Sequence, residues 1–141
     1  MEISNATKQD IDEILRLQTQ IYRVGKLAEG ARETLEKQIA DHHCDVLVVK
    51  DNDKIVATAT IHYIQVAARA RPYALLEGLV VDETTRGHGI GTSLFNKCIE
   101  IAKKKNCYKM IFTSGKDRID AHKFYEKLGF KRWGVEFRKD L

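Results

Sequence analysis

A glycine-rich segment between two regular elements is the strongest constraint in this sequence. Residues 86–92 contain three glycines and lie between the apolar run 75–81 and an amphipathic pattern over residues 90–104. Glycine lets the backbone approach a ligand closely and leaves its N–H groups unobstructed. At the start of a helix, the unpaired N–H donors and the helix dipole favour an anion. The segment therefore predicts an anion site, with a pyrophosphate as its natural occupant, and Arg86 adds a formal positive charge.

The spacing of these glycines fits the two common nucleotide-binding motifs badly. A dinucleotide fingerprint needs Gly-x-Gly-x-x-Gly in the first βαβ unit and an acidic residue about 20 positions later. Here the glycines alternate past the middle of the chain, and Cys107 stands near the position of that acid. The Lys-Ser/Thr ending of a P-loop is absent. A helix start that only permits close packing is the alternative to a ligand site.

Size and composition are typical of one globular domain, expected over residues 1–141. Apolar residues make up 43% and charged residues 31% of the chain, which argues against a disordered protein. No apolar run approaches the roughly 18 residues of a membrane span. The start Met1-Glu2-Ile3-Ser4-Asn5 has neither a basic nor an apolar leader region, which argues against secretion.

The cysteines indicate reduced thiols rather than disulfides or a metal site. Cys44, Cys98 and Cys107 form no even disulfide framework and no metal-ligand spacing. The adjacent side chains in His42-His43-Cys44 cannot readily chelate one ion, so no metal is expected. A cytoplasmic location is the simplest account of these thiols.

Positive charge is concentrated in the last third of the chain. Residues 97–141 hold 13 Lys and Arg against 6 Asp and Glu, whereas residues 1–96 hold 11 against 14. This asymmetry favours an anionic partner such as a nucleotide or a phosphate, with a solvated Lys-rich surface as the alternative. A nucleic-acid-binding module would place stacking aromatics on a basic sheet face. The Phe124-Tyr125 pair instead falls in a helical pattern, so neither a nucleic acid nor a membrane is expected as a partner.

Hydrophobic periodicity predicts alternating helices and strands around one sheet, an α/β or α+β fold. A capping-box-like start at Thr7 and Asp10 precedes the first helix, and Gly129 is expected to cap the last. The predicted helices cover residues 8–23, 33–41, 90–104 and 117–128. The predicted strands cover residues 46–49, 55–61, 75–81 and 109–113, and residues 130–137 are expected to form a final strand or hairpin. A hairpin turn is predicted at 51–53 and a loop at 67–72.

Two motifs resemble those of the GNAT N-acetyltransferase superfamily. Arg86-x-x-Gly89-x-Gly91 matches the acetyl-CoA motif Gln/Arg-x-x-Gly-x-Gly/Ala, and residues 121–130 match the late-helix signature Ala-x-x-Phe-Tyr-x-x-x-Gly-Phe. The order of predicted elements also agrees with that family over nearly the whole chain. The resemblance implies a mixed, mostly antiparallel sheet with splayed central strands and about four flanking helices. It also implies acetyl-CoA as the cosubstrate.

The resemblance further implies where the cosubstrate binds. The strand backbone pairs with the pantetheine arm, and the amides of the glycine-rich loop hold the pyrophosphate. Arg118 stands where many relatives have Asn, so it is expected, with Ser114, near a CoA phosphate. Phe124 is expected to serve mainly in packing. The implied contacts are Leu79, Val80, Val81, Arg86, Gly87, His88, Gly89, Ile90, Gly91, Thr92, Ser114, Arg118 and Phe124.

Two residues are candidates for proton transfer. In the resembled family the counterpart of Tyr125 protonates the departing thiolate; a core aromatic is the alternative. Glu77 is a carboxylate in an apolar run, where burial without purpose is costly. It would accept the proton of the amine, directly or through water, if partly buried with a raised pKa. An outward-facing residue in a salt bridge is the alternative. No protein nucleophile is needed.

The implied reaction is direct transfer of an acetyl group to a primary amine in a ternary complex, with the oxyanion on the amide of Val80 or a neighbour. The acceptor is expected near the first two helices, residues 22–30 and residues 61–72. Polar and cationic residues there suggest a small amine that carries an acidic group, and residues 77–141 loosely resemble aminoalkylphosphonate acetyltransferases. These residues are Tyr22, Arg23, His62, Tyr63, Arg69 and Arg71. Polyamines, aminoglycosides, protein amines, a non-catalytic CoA sensor and a homodimer all stay open.

Overall fold

The computed structural model describes residues 1–21 and 24–141, so Tyr22 and Arg23 lie outside the described residues. The chain divides into two compact units, Met1–Ile111 and Phe112–Leu141, here called the sheet unit and the C-terminal unit. Each is described by itself. No described helix has the length and apolar character needed to cross a membrane.

The sheet unit is built on one five-stranded sheet in the order β1-β2-β3-β4-β5. The first four strands pair antiparallel, and β5 runs parallel to β4. The strands are β1 Glu2–Asn5, β2 Cys44–Asp51, β3 Lys54–Val66, β4 Arg71–Val81 and β5 Met110–Ile111. The described helices are α1 Ile11–Gln18, α2 Ala31–Ala40 and α3 Ile90–Lys104 in this unit and α4 Ile119–Lys127 in the C-terminal unit. The predicted mixed, mostly antiparallel fold with four helices is confirmed.

The core on one side of the sheet forms where the apolar stripe of α1 meets α2 and the strands. Ile11, Ile14 and Leu17 recur at helical spacing and are at most 2% exposed. They pack with Leu35 of α2 and with inward side chains of β2 and β3. The predicted first helix is therefore confirmed, although α1 ends at Gln18 rather than at residue 23.

The two hairpins of the sheet differ in how well their turns are marked in the sequence. Asn52 and Asp53 adopt left-handed φ angles of 48° and 67°, as a two-residue hairpin turn requires, and this turn was predicted. The loop predicted over 67–72 is shorter, because β3 continues to Val66 and β4 begins at Arg71. Ala70 takes the left-handed position there with φ 51°, where no glycine announces it.

Two predictions about strands are wrong. β1 was not predicted; it is a four-residue edge strand paired with β2, too short to show alternation. The predicted strand over 130–137 does not form, and residues 131–141 are exposed, with Trp133 at 91% and Phe137 at 95%. The alternation of Trp133, Val135 and Phe137 is typical of a strand, but a strand also needs backbone hydrogen-bond partners.

The sheet opens between β4 and β5. The two strands pair only at Ala74↔Met110 and Leu75↔Ile111, whereas β4 continues to Val81. In addition, the register between β3 and β4 shifts between Thr58 and Thr60, so β4 carries one extra residue, a bulge, around Gly78. The splayed strand implied by the family resemblance is therefore present, directly before the glycine-rich loop.

Asp82 fixes the point where β4 enters this loop. Its side chain is 2% exposed, and it accepts hydrogen bonds from Arg16 Nη1 at 2.8 Å and from the Thr84 N–H and hydroxyl at 3.1 and 2.9 Å. The Thr84 N–H and the Arg16 guanidinium hold the pKa of the Asp82 carboxyl well below its usual range, although burial opposes this. The ionised carboxylate is therefore a part of the folded state.

We predict that Asp82→Asn lowers the free energy of unfolding at pH 7 by about 1–3 kcal/mol, because charge-assisted hydrogen bonds are lost. Since the folded state depresses this pKa, the stabilisation is complete above the unfolded pKa of about 3.9 and is lost as pH falls below it. The variant should thus show a shallower acid decline in urea unfolding than the parent chain. Glu83→Gln, an exposed neighbour, is the control and should retain the parent profile; equal profiles for all three would contradict the prediction.

Candidate functional site

The glycine-rich loop takes a left-handed conformation that favours glycine at two positions. Gly87 and Gly89 have φ angles of 87° and 77°, and Gly89 immediately precedes the first residue of α3. Left-handed backbone costs other residues about 1–2 kcal/mol. A Cβ at either position would meet no atom within 4 Å. These glycines therefore serve the backbone conformation and leave open space beside it.

This conformation exposes a row of amide donors at the start of a 15-residue helix. The first hydrogen bond of α3 runs from the Ser93 N–H to the Gly89 carbonyl at 3.0 Å. Within the described residues, the amides of residues 86–92 have no hydrogen-bond acceptor. Arg86 Nε donates to the Val81 carbonyl at 3.1 Å, which ties the guanidinium to the end of β4. Open amides, the helix dipole and this charge together fit a pyrophosphate.

The end of β4 turns further backbone groups away from β3, beside the loop. The Asp82 N–H donates to the Val56 carbonyl at 2.8 Å, and Val80 lies opposite Thr58 in β3. Because hydrogen-bonding direction alternates along a strand, the backbone groups of Val81, between them, face away from β3. The same alternation places those of Leu79 on the open side. The amide of Val80 itself is used within the sheet.

A cavity of about 380 Å³ lies between α1, α2 and the bulged region of β4. The α2 residues that face it follow helical spacing, at positions 31, 34, 35 and 38. The lining consists of Gln18, Ile21, Ala28, Glu29, Gly30, Ala31, Thr34, Leu35, Gln38, Thr60, Glu77 and Gly78. Most of these residues lie in the segments where the acceptor was expected, the first two helices and residues 22–30, although Glu77 was the one lining residue named in advance. The spacing of small and polar residues along α2 was the signal that could have found them.

Glu77 lies in the wall of this cavity and is exposed rather than buried, so the expectation of burial is wrong. The bulge at Gly78 places the carboxylate at an open position of an otherwise apolar strand. No hydrogen bond or ion pair to Glu77 occurs among the described residues, so the alternative of a salt bridge is not observed either. The carboxylate is available to an occupant of the cavity.

Four of the polar and cationic residues expected around the acceptor lie in the sheet unit but do not line this cavity. The Tyr63 hydroxyl donates to Asp45 at 2.5 Å, and the Arg69 guanidinium lies 5.0 Å from the Tyr108 ring centre. Arg71 donates to the carbonyls of Asn106 and Cys107, and His62 lies opposite Cys44 in the sheet. None of these four lines the cavity. Tyr22 and Arg23 fall outside the described residues.

The late-helix signature forms the C-terminal cap of α4. Gly129, with φ 93°, donates its N–H to the Glu126 carbonyl at 3.0 Å, and the Phe130 N–H reaches the Tyr125 carbonyl at 3.1 Å. These two bonds are a Schellman motif, which explains the glycine. The centre of the Phe112 ring lies 4.7 Å from that of Tyr125 and 4.9 Å from that of Phe130, in edge-on arrangements. The orientation of Tyr125 is thereby fixed within the C-terminal unit.

The remaining candidates of the C-terminal unit surround the start of α4. Ser114 Oγ is buried and has no hydrogen-bond partner in the described part of the chain. Arg118 precedes the first residue of α4, and its N–H donates to the Gly115 carbonyl at 3.0 Å. The Phe124 ring lies 5.8 Å from that of Tyr125. A buried hydroxyl without a hydrogen-bond partner among the described residues fits a polar ligand group better than plain packing.

The cysteines are poor candidates for a nucleophile. Burial raises the pKa of Cys98 to about 12 and, with the Asp41 carboxylate, that of Cys44 to about 11. Burial also raises the pKa of the Cys107 thiol, although nearby cations oppose it. The thiolate is the reactive form, so these groups remain unreactive near neutral pH. Among the described residues, no three His, Cys, Asp or Glu side chains are grouped to hold a metal ion.

The amino-acid sequence is similar to one protein family and to several individual enzymes. The model of the Acetyltransferase (GNAT) family matches residues 11–130. Glucosamine 6-phosphate N-acetyltransferase of Trypanosoma brucei brucei is 41% identical over 66 residues, which cover 47% of this chain and 43% of that enzyme. Aminoalkylphosphonate N-acetyltransferase of Salmonella typhimurium is 24% identical over 140 residues, which cover 99% of this chain and 91% of that enzyme.

A solved structure extends the similarity over the whole fold. A protein of Agrobacterium tumefaciens str. C58, assigned as an acetyltransferase, is 28% identical with a TM-score of 0.91, and the match covers 100% of both chains. The chain nevertheless spans between 35% and 60% of the length of three curated relatives that it matches.

We predict that Gly89→Ala raises the Kd for acetyl-CoA about tenfold, because a strained left-handed residue displaces the loop amides. Isothermal titration calorimetry measures this. Gly25→Ala is the matched control, since Gly25 also has a left-handed φ of 61° and open space around it. The control should lose similar stability while its Kd stays at the parent value. An unchanged Kd for Gly89→Ala would contradict the assigned role of the loop.

Proposed function

Because the chain belongs to the acetyltransferase (GNAT) family, we propose that it moves the acetyl group of acetyl-CoA to the primary amine of a small molecule by direct transfer in a ternary complex. This proposal rests on the backbone N–H groups of residues 86–92, which have no hydrogen-bond acceptor within the described residues. They follow the part of β4 that no longer pairs with β5. Acetyl-CoA, when bound, supplies an acetyl group activated as a thioester. The protein binds and orients both partners, which accounts for much of the rate gain.

The cosubstrate is assigned to backbone groups and a few side chains. The amides of residues 86–92 and the Arg86 guanidinium hold the pyrophosphate. The outward-facing backbone of Leu79 and Val81 receives the pantetheine arm as a missing strand would, and one of these amides stabilises the oxyanion. In the C-terminal unit, Ser114 and Arg118 are assigned to a phosphate, and Phe124 to packing beside the cosubstrate.

Glu77 is assigned as the proton acceptor. A protonated amine cannot attack a thioester, so its proton must first leave. The Glu77 carboxylate lies in the cavity wall, free of ion pairs within the described chain. It accepts the proton directly or through a bridging water. The availability of the carboxylate, rather than its burial, supports this role.

Tyr125 is assigned as the proton donor to the leaving sulfur. A thiolate with an ordinary thiol pKa of about 8.5 leaves more readily with a donor beside it. The edge-on contact with Phe112 and the cap at Gly129 hold the ring in one orientation. Removing only the hydroxyl would preserve both contacts.

A thiol-release assay with acetyl-CoA and a panel of primary amines tests the proposed function. At least one small amine should release CoA in proportion to acetylated product. We predict that Glu77→Gln and Tyr125→Phe each lower kcat about a hundredfold, as is typical of a lost general base or acid.

Tyr108→Phe is the matched control, because it removes a phenolic hydroxyl from the sheet unit outside the assigned site. It should turn over at the parent rate. If Glu77→Gln and Tyr125→Phe also retained the parent rate, their assigned roles would be wrong. Binding of acetyl-CoA without turnover of any amine would indicate a CoA sensor instead.

A further inference from the structure

The cavity beside Glu77 is lined by apolar, neutral polar and charged side chains. Leu35 and Thr60 form its buried floor, at 2% and 5% exposure, and Ile21 adds an apolar side chain. The polar groups are the amides of Gln18 and Gln38 together with threonine hydroxyls. These groups are neutral and can donate or accept hydrogen bonds. They provide for a compact polar molecule but do not select the sign of its charge.

The charged side chains in the described lining are both carboxylates, Glu29 and Glu77. Both are exposed at the mouth of the cavity, and neither forms an ion pair within the described residues. Arg32, a nearby cation of α2, pairs with Asp12 of α1 instead. A bound cation would therefore gain from two uncompensated negative charges, whereas a bound anion would be repelled.

The N-terminus of α2 also borders this cavity, at Gly30 and Ala31. A helix N-terminus carries roughly half a positive charge and by itself favours an anion. Here Glu29 precedes it, and Glu33 Oε2 lies 4.0 Å from where a Cβ on Gly30 would stand. The carboxylates of Glu29 and Glu33 carry two full negative charges, which outweigh the half positive charge of the helix N-terminus. This end of α2 therefore does not offer a phosphate site.

On the basis of the proposed function, we propose that the acceptor is a dibasic amine, a small molecule with two ammonium groups. The reacting nitrogen lies at Glu77, and the second ammonium is held by Glu29 across the cavity. The amides and hydroxyls of the wall bind the remaining N–H donors. The acceptor thus differs from an amine that carries a phosphate or phosphonate, which the sequence of residues 22–30 and 61–72 had suggested.

Steady-state kinetics with three matched amines test this inference. The probes are 1,4-diaminobutane, butylamine and 3-aminopropylphosphonate, which differ in carrying a second cation, no second charge or an anion. We expect kcat/KM for 1,4-diaminobutane to be about tenfold higher than kcat/KM for butylamine. The difference from kcat/KM for 3-aminopropylphosphonate should be larger still. A preference for the phosphonate would overturn the inference while leaving the proposed function intact.

Glu29→Gln separates the role of the second carboxylate from that of the proton acceptor. It should raise KM for 1,4-diaminobutane about fivefold to tenfold and KM for butylamine by no more than about twofold, with a larger effect on KM than on kcat. Glu36→Gln makes the same charge change on an exposed position of α2 outside the cavity lining, and should alter none of these constants.

Equal effects of Glu29→Gln on the diamine and on butylamine would overturn the inference, because they would show a role unrelated to the second charge. Equal effects of Glu29→Gln and Glu36→Gln on KM for the diamine would also overturn it, because they would show only a long-range change in electrostatic potential. Failure of all three amines and of the wider amine panel to release CoA would instead count against the proposed function.

Discussion

The site depends on backbone hydrogen bonds that the sheet does not make. β4 pairs with β5 at two positions and then continues to Val81 paired with β3 only, so its N–H and C=O groups on the other edge lack a strand partner within the described residues. The chain then enters a loop whose amides are also open, because α3 begins at Ile90 and its first bond is donated by Ser93. Buried polar groups left in this state are costly, whereas exposed ones can be satisfied by water or by a ligand. A ligand that is extended at one end and anionic at the other satisfies both sets.

One strand connects two regions of opposite electrostatic character. The loop after β4 offers N–H donors, a helix N-terminus and Arg86, all of which favour an anion. Only a few residues earlier, the bulge at Gly78 places the Glu77 carboxylate in a cavity that also holds Glu29. Under the proposed function, a cosubstrate rich in phosphate and an acceptor rich in ammonium groups are each attracted to a different region along the same strand. Specificity on each side then follows from charge as well as from shape.

The sequence specified the elements that depend on local signals. The bounds of α3 at Ile90–Lys104 were predicted correctly, since glycines mark its start and Lys residues its end. The cap at Gly129 and the turn at Asn52 and Asp53 carry equally local signals. Features that depend on partners distant in sequence were missed: the pairing of β1, the absence of a strand over 130–137, and the bulge that exposes Glu77. The acceptor was expected near the first two helices and residues 22–30, but the individual lining residues were not named, because the cavity is assembled from α1, α2, β3 and β4 and no single segment contains its pattern.

A crystal structure with CoA bound tests the central claim most directly. The account predicts the pyrophosphate within hydrogen-bonding distance, about 3 Å, of several amide nitrogens of residues 86–92, and the pantetheine arm along Leu79 and Val81. A pyrophosphate bound at another surface, with these amides still open to solvent, would contradict the account.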